Sequence, residues 1–225
     1  MAEYVVEFGK DGGGHAGADG RLDAPAFHRN HQAISAVLTR LLAGKTGDAL
    51  EVGSGTGQHV VAFAQKCPDI TWWPSDFNDN HLTSIEAWRA CAGLANIRPA
   101  RRIDVSNPDW CDAMRGEGGP TQLVAAFCAN VIHIAPWNVA EGLVAGAGRY
   151  LQKSGMLFLY GPFKRGGRHT ADSNAAFDES LRRRNPEWGV RDVEAIERLA
   201  AAGGLSLVEI AEMPANNLTL VFGKS

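Results

Sequence analysis

The chain has 225 residues, of which 45% are apolar, and its 25 acidic and 22 basic side chains leave a formal net charge of -3. That size suits one α/β domain with a sizeable core, and the near-balanced charge excludes a dedicated nucleic-acid binder. Cys67, Cys91, Cys111 and Cys128 form no Cys-x-x-Cys pair, which fits reduced thiols in a cytoplasmic protein better than a disulfide framework or a zinc site.

Residues 9–20 are glycine-rich, charged and aperiodic, so 1–23 reads as a flexible N-terminal arm or lid. Met1 to Phe8 lacks the basic start and apolar core of a signal peptide. From Pro25 to Leu42 the apolar positions Ile34, Val37, Leu38 and Leu41 recur at helical spacing, and Gly44 ends the pattern. Strands are predicted at 48–52, 70–75, 98–103, 121–129 and 154–160, with helices near 57–66, 79–92, 107–115 and 137–151. This alternation implies a parallel sheet with helices on both faces, a Rossmann-like α/β fold. No apolar run reaches membrane-spanning length, because Asn130 and His133 interrupt Leu123–Ala135. Residues 161–190 break the alternation with glycines, prolines and a helical stretch from Asn174 to Arg184, and read as an active-site insertion within a single domain covering 24–225. Its Arg182-Arg183-Arg184 run is either a solvated helix face or a contact for an anionic substrate. A last amphipathic helix leads to two strands near 205–211 and 217–223, joined closely enough to pair antiparallel.

The most informative stretch is Leu50-Glu51-Val52-Gly53-Ser54-Gly55-Thr56-Gly57. A glycine turn between a buried strand and a helix admits a ligand close to the backbone, with free N–H groups at the helix start. A dinucleotide pyrophosphate would be repelled by Glu51, whereas a ligand bearing an amino group would be attracted by it. The third glycine of Gly-x-Gly-x-x-Gly would also fall on Gln58. These residues point to S-adenosylmethionine, whose amino-acid end and sulfonium are cationic. The plainer alternative for Glu51 is a carboxylate favoured by the helix dipole.

Other candidates fall where further strands end, the ligand-binding edge of open α/β sheets. Asp76, about 20 residues beyond the glycines, suits ribose hydroxyls or else caps the next helix. Asp104 suits the adenine amino group, with the Val105 N–H beside it, unless it is a loop acid. Asn130 ends the fourth strand and suits the methionine end of the cofactor. His133 follows it as either a base or a core histidine, and Trp137 as either an aromatic wall or core.

At these residues the chain resembles class I S-adenosylmethionine-dependent methyltransferases, and more narrowly the family that includes methyltransferase-like protein 26. Carrying the resemblance over roughly 24–224 are Pro25-Ala26 with Arg29-Asn30, Gly53 through His59, and Asn130-Val131-Ile132-His133-Ile134 with Pro136-Trp137. Further on come Tyr160-Gly161-Pro162-Phe163, Ser173-Asn174 with Phe177-Asp178, Pro186-Glu187-Trp188-Gly189 with Arg191-Asp192, and Met213 through Asn217. The resemblance implies a seven-stranded sheet with an antiparallel last strand, and cofactor contacts along Gly53, Ser54, Gly55, Thr56, Gly57 and His59. It supplies no acceptor. It also departs from the wider pattern at Thr121-Gln122, where many relatives carry an acid.

Methyl transfer needs alignment, exclusion of water and, for a hydroxyl or amine acceptor, loss of a proton. His133, Asp178 and Tyr160 are the candidates for that chemistry. Arg29 and Asn30 serve either as a helix start and surface cation or as part of a lid over an acceptor. Asn174, Trp188, Arg191 and Asn216 are further substrate-side candidates. A small-molecule acceptor is expected, and no metal, since His28 and His31 lack a third ligand. The competing readings are a non-catalytic S-adenosylmethionine-binding sensor or scaffold and an NAD-dependent oxidoreductase.

Overall fold

The apolar run before the glycines forms β1 (Gly47–Val52), whose last four residues are buried. In the computed structural model, which describes residues 19–107 and 109–225, it pairs in parallel with β2 (Ile70–Asp76), placing Glu51 opposite Pro74. Around these strands lie α1 (Pro25–Leu41), α2 (Gln58–Lys66) and α3 (Asp79–Ala92). Asn78 caps α3 by accepting the N–H groups of Asn80 and His81, and Gly93 closes it in the left-handed region.

The predicted third strand shrinks to β3 (Arg101–Arg102). The cause lies in two prolines. Trp72 and Asp76 turn their backbone groups towards this edge, where Arg98 and Ile103 donate to their carbonyls. Pro74 therefore turns the same way, without an N–H, and Pro99 opposite also lacks one, so the ladder cannot run continuously.

A compact unit ending at Asp104 contains these elements, and a second begins at Val105. The second holds α4 (Trp110–Arg115), β4 (Leu123–Ala129), α5 (Trp137–Tyr150) and β5 (Leu151–Gly161). β4 is entirely apolar and buried but for its last residue, as a strand covered on both faces requires. β5 begins directly at the end of α5, earlier than predicted, and its pairing with β4 shifts register between Leu123 and Ala125. The chain ends with α7 (Val193–Ala202), β9 (Leu205–Met213) and β10 (Asn217–Lys224). β10 pairs antiparallel with both β5 and β9, and the seven strands run in the order β3-β2-β1-β4-β5-β10-β9. This is the expected Rossmann-like sheet with its antiparallel last strand.

The insertion contains more structure than its sequence suggests. β6 (Phe163–Arg165) and β7 (Arg168–His169) form a hairpin turned by Gly166 and Gly167, whose φ values are 57° and 74°. β8 (Arg191–Asp192) adds to β6 in parallel, and α6 (Asp172–Arg184) connects them. Two-residue strands have too little periodicity to be read in advance.

Residues 1–18 of the predicted arm lie outside the described residues. The boundary at 23 is corrected for the remainder: the Leu22 N–H donates to Ser84, the Trp88 indole donates to the Leu22 carbonyl, and Arg21 lies over the Trp88 ring. Among the described residues Cys67, Cys91 and Cys128 are free thiols, and no helix is long and apolar enough to cross a membrane.

Candidate functional site

In the first unit the glycine turn is built from its own backbone requirements. Gly53, Gly55 and Gly57 have φ values of 64°, 57° and 89°, conformations that a side chain disfavours. Gly57 is constrained twice, since a Cβ there would fall 2.8 Å from the Ile85 Cα. The hydroxyls in the turn are committed: Ser54 and Ser75 both donate to the Glu51 carbonyl, at 3.3 and 2.7 Å. Thr56 donates to Gln58 at 2.9 Å.

Glu51 is the exception in this well-paired turn. Its side chain is 2% exposed, and its Oε2 has no hydrogen-bond partner. Burial pushes its carboxyl up to about 8, the nearby Asp76 charge adds to the rise, and the Ser54 side chain and Val60 N–H oppose it. The Val60 contact belongs to the first turn of α2, so the helix-start reading of Glu51 is realised for part of the carboxylate. The remaining oxygen is an acceptor waiting for a donor. An ammonium group fits it; a phosphate does not.

Asp76 is placed differently. Its carboxylate accepts the N–H groups of Phe77 and Asn78 at Oδ1, at 2.8 and 3.0 Å. At Oδ2 it meets the Gly55 N–H at 3.0 Å and His81 Nδ1 at 3.1 Å. Asp76 thus ties the glycine turn to the chain entering α3 and to His81 within it, while the cap of that helix is Asn78 rather than Asp76. A ribose would have to share these positions. Asp104 is exposed and Val105 buried at the boundary of the two units.

Asn30 and His59 are locked together. The His59 Nε2–H donates to Asn30 Oδ1 at 2.9 Å, and its ring lies against Phe63 and edge-on to Phe27. Burial, followed by the neighbouring His31 charge, lowers His59 to about 4, so it is neutral at physiological pH. Arg29 is exposed on α1. Gln58 was missed as a site-building residue. It accepts from the Ala24 N–H and donates to Asp23, at 2.8 and 2.6 Å, anchoring the start of α1 to the turn. Its only legible signal was position, as the first helical residue after the last glycine.

The second unit brings together the residues that follow β4 and β5. Asn130 takes a left-handed φ of 62°, donates its N–H to the Tyr160 carbonyl, and accepts from the His133 N–H. His133 is fully buried against Phe163. Burial, with the Arg191 charge second, lowers it to about 3. Its Nδ1 accepts the Arg191 N–H at 3.2 Å, which places the ring proton on Nε2. This corrects the reading of His133 as a base: Nε2 is a donor, and it has no acceptor. A Cβ on Gly161 would come within 2.4 Å of it, so the glycine is what lets the ring sit there.

Asp178 is likewise no base. It accepts from Val190 N–H at 2.7 Å, from Lys164 at 2.9 Å and from Arg182 at 3.2 Å, with His169 Nε2 at 3.3 Å. Burial would raise its carboxyl, yet the Lys164, Val190 and Arg182 contacts hold it below the ordinary carboxylate range. Tyr160 is buried within β5 and is a strand residue. Arg191 acts as a staple. It donates to the carbonyls of Ile132, Ala135 and Glu187 at 2.9, 2.5 and 3.0 Å, and lies over the Trp137 ring. Asn174 and Asn216 do meet, with Asn174 Nδ2 donating to the Asn216 carbonyl at 2.9 Å. Trp188 is 6% exposed and its indole N–H has no acceptor. Lys164, His169 and Arg182 were not foreseen as site residues, because only the tertiary fold gathers them on Asp178.

A family model described as Protein of unknown function (DUF938) matches residues 21–224. The fold is that of methyltransferases of known structure. An O-methyltransferase family protein from Burkholderia thailandensis superposes with a TM-score of 0.68 at 14% identity, covering 86% of this chain and 55% of its own. Magnesium protoporphyrin IX methyltransferase from Synechocystis, crystallised with bound SAH, gives 0.64 at 13% identity, covering 87% and 83%. The S-adenosylmethionine-dependent methyltransferase SibL gives 0.64 at 19% identity, covering 86% and 56%. The chain thus spans little more than half the length of the first and third of these proteins.

Proposed function

The chain belongs to the DUF938 family, and we propose that it is an S-adenosylmethionine-dependent methyltransferase acting on a small-molecule acceptor. One observation carries the reading: the buried Glu51 oxygen without a donor, beside a glycine turn whose hydroxyls are engaged. An ammonium supplies the missing donor and restores the ionised carboxylate. A nicotinamide dinucleotide would bring phosphate to the same place, where burial and the Asp76 charge already disfavour a second anion. The finer likeness to the family of methyltransferase-like protein 26 agrees with this reading and is part of the proposal.

When bound, S-adenosylmethionine supplies an electrophilic methyl group on a sulfonium. In the first unit Glu51 would hold the amino group, the Gly53–Gly57 backbone would line the cofactor, and Asp76 would keep the turn in shape. In the second, Asn130 and the stapled loop through Trp137 would wall the acceptor side. Neither His133 nor Asp178 is set up as a base: His133 presents N–H, and the lone pairs of Asp178 are taken. Catalysis would then rest on alignment and exclusion of water, with an acceptor that loses its proton readily.

Calorimetric titration with S-adenosylhomocysteine and with NAD tests the donor reading. Binding of the first that disappears in Glu51→Gln supports it; binding of NAD alone refutes it. Incubation with methyl-labelled S-adenosylmethionine and a metabolite extract, followed by mass spectrometry for a product heavier by one CH₂, tests transfer.

A further inference from the structure

The insertion of the second unit holds more positive charge and more buried donors than its acceptors satisfy. Its one buried carboxylate, Asp178, is shared by Lys164, Arg182 and His169. Of the other acids of this region, Glu179 pairs with Arg183, Asp192 and Glu194 accept the N–H groups of Gly167 and Gly166, and Asp172 and Glu187 are exposed at the surface. Arg191 adds a third permanent cation, whose guanidinium is pushed down first by burial and then by the Arg182 charge.

The segment Trp188–Arg191 is threaded between this cluster and His133. On one side the Val190 N–H reaches Asp178; on the other the Gly189 N–H donates to the His133 carbonyl and the Arg191 N–H to its Nδ1. The threading is tight. Gly189 has a φ of 154°, and a Cβ there would lie 2.6 Å from Asp178 Oδ1 and 2.8 Å from Arg182 Nη2. Along this same path two buried N–H groups have no acceptor, His133 Nε2 and Trp188 Nε1, on side chains 0% and 6% exposed. Burying a donor unpaired is unfavourable, and the Trp188 indole N–H, in the residue next to the Gly189 that packs on Arg182, points together with the surplus cations to a ligand rich in acceptor oxygens.

We propose that this insertion receives an oxyanion, a carboxylate or phosphate group of the methyl acceptor, on the side of Lys164, Arg182 and the Trp188 indole. The inference rests on the methyltransferase reading only in calling the bound molecule an acceptor. Arg182 is 49% exposed and Lys164 18%, so the site opens to solvent on its cationic side.

The test follows the indole N–H of Trp188 in ¹H–¹⁵N spectra of the full chain, assigned with Trp188→Phe. The probes are phenylacetate, phenyl phosphate and the neutral phenylacetamide. The expected result is a shift of that resonance by at least one anion, at least about ten-fold tighter than by the amide. Arg182→Gln should bring the preference below about three-fold, with S-adenosylhomocysteine binding unchanged. The stronger of the two anions identifies the headgroup. An amide that binds as tightly as both anions overturns the proposal, as does silence from all three probes. If the anions bind while S-adenosylhomocysteine does not, the donor reading falls and the oxyanion site stands.

Discussion

The glycine turn of the first unit and the insertion of the second are both polar, buried and tightly built, yet they are unbalanced in opposite senses. In the turn, the hydroxyls are paired and a single acid oxygen is left over. In and beside the insertion, one carboxylate is saturated, and the Trp188 and His133 N–H groups are left over together with His169 Nδ1. Each imbalance is the negative of a ligand: the first calls for a cationic donor, the second for oxygen acceptors. A polar group left unpaired at full burial is informative because its neighbours show that pairing was attainable.

The sharpest way to break this comparison is at Glu51. Glu51→Gln keeps the size of the side chain and removes its charge. It should weaken S-adenosylhomocysteine by about 2–5 kcal/mol, roughly 30-fold or more, measured by calorimetry. The same variant should become more stable without ligand. The folded carboxyl sits near 8 against an ordinary 4.5, so the folded state holds the extra proton between those values. Stability from this group is full below about 4.5 and is lost as pH rises through about 8. Urea unfolding at pH 5 and 8.5 should show the wild type losing a few kcal/mol, at about 1.4 kcal/mol per pH unit, and the variant losing less. A flat wild-type profile would place the charge of Glu51 outside the core.

Asp178→Asn strikes the opposite imbalance. Removing the one carboxylate leaves Lys164 and Arg182 facing each other, and should cost about 3–5 kcal/mol of stability. The folded carboxyl lies below its ordinary 3.8, so its contribution is present above that value and disappears as pH falls through the folded value. The variant should therefore lose the steepest part of the acid limb in thermal melts. Gly57→Ala comes next, at about 2–4 kcal/mol in melting experiments, from a positive φ and a Cβ driven against α3.

These two regions also differ in how much of them the sequence exposes. The acid, the glycines and the apolar run before them lie within eight consecutive residues, Leu50 to Gly57, so this candidate site is local and legible. The parallel sheet follows from the same alternation of short apolar runs and helices. The insertion is assembled from Lys164, His169, Asp178, Arg182 and Val190, spread over a helix that is legible in sequence, two short strands that no periodicity announces, and the residue before a third. Hence Asp178 and His133 read from sequence as bases, whereas their partners make one a saturated anion and the other a donor. The short β3 was hidden for a different reason: the deciding residue, Pro74, stands in the neighbouring strand.

The smallest effect is expected at Arg29, which separates local legibility from function. It lies one residue from Asn30, whose amide is committed to His59, but its own side chain is exposed on α1. Arg29→Ala should change stability by less than about 0.5 kcal/mol, because an exposed cation on a helix surface contributes little. Any loss of methyl transfer in that variant, with S-adenosylhomocysteine affinity unchanged, would then report contact with the acceptor. Unchanged turnover would return Arg29 to its plainer reading as a surface cation at the start of a helix, and would leave recognition of the acceptor to the second unit alone.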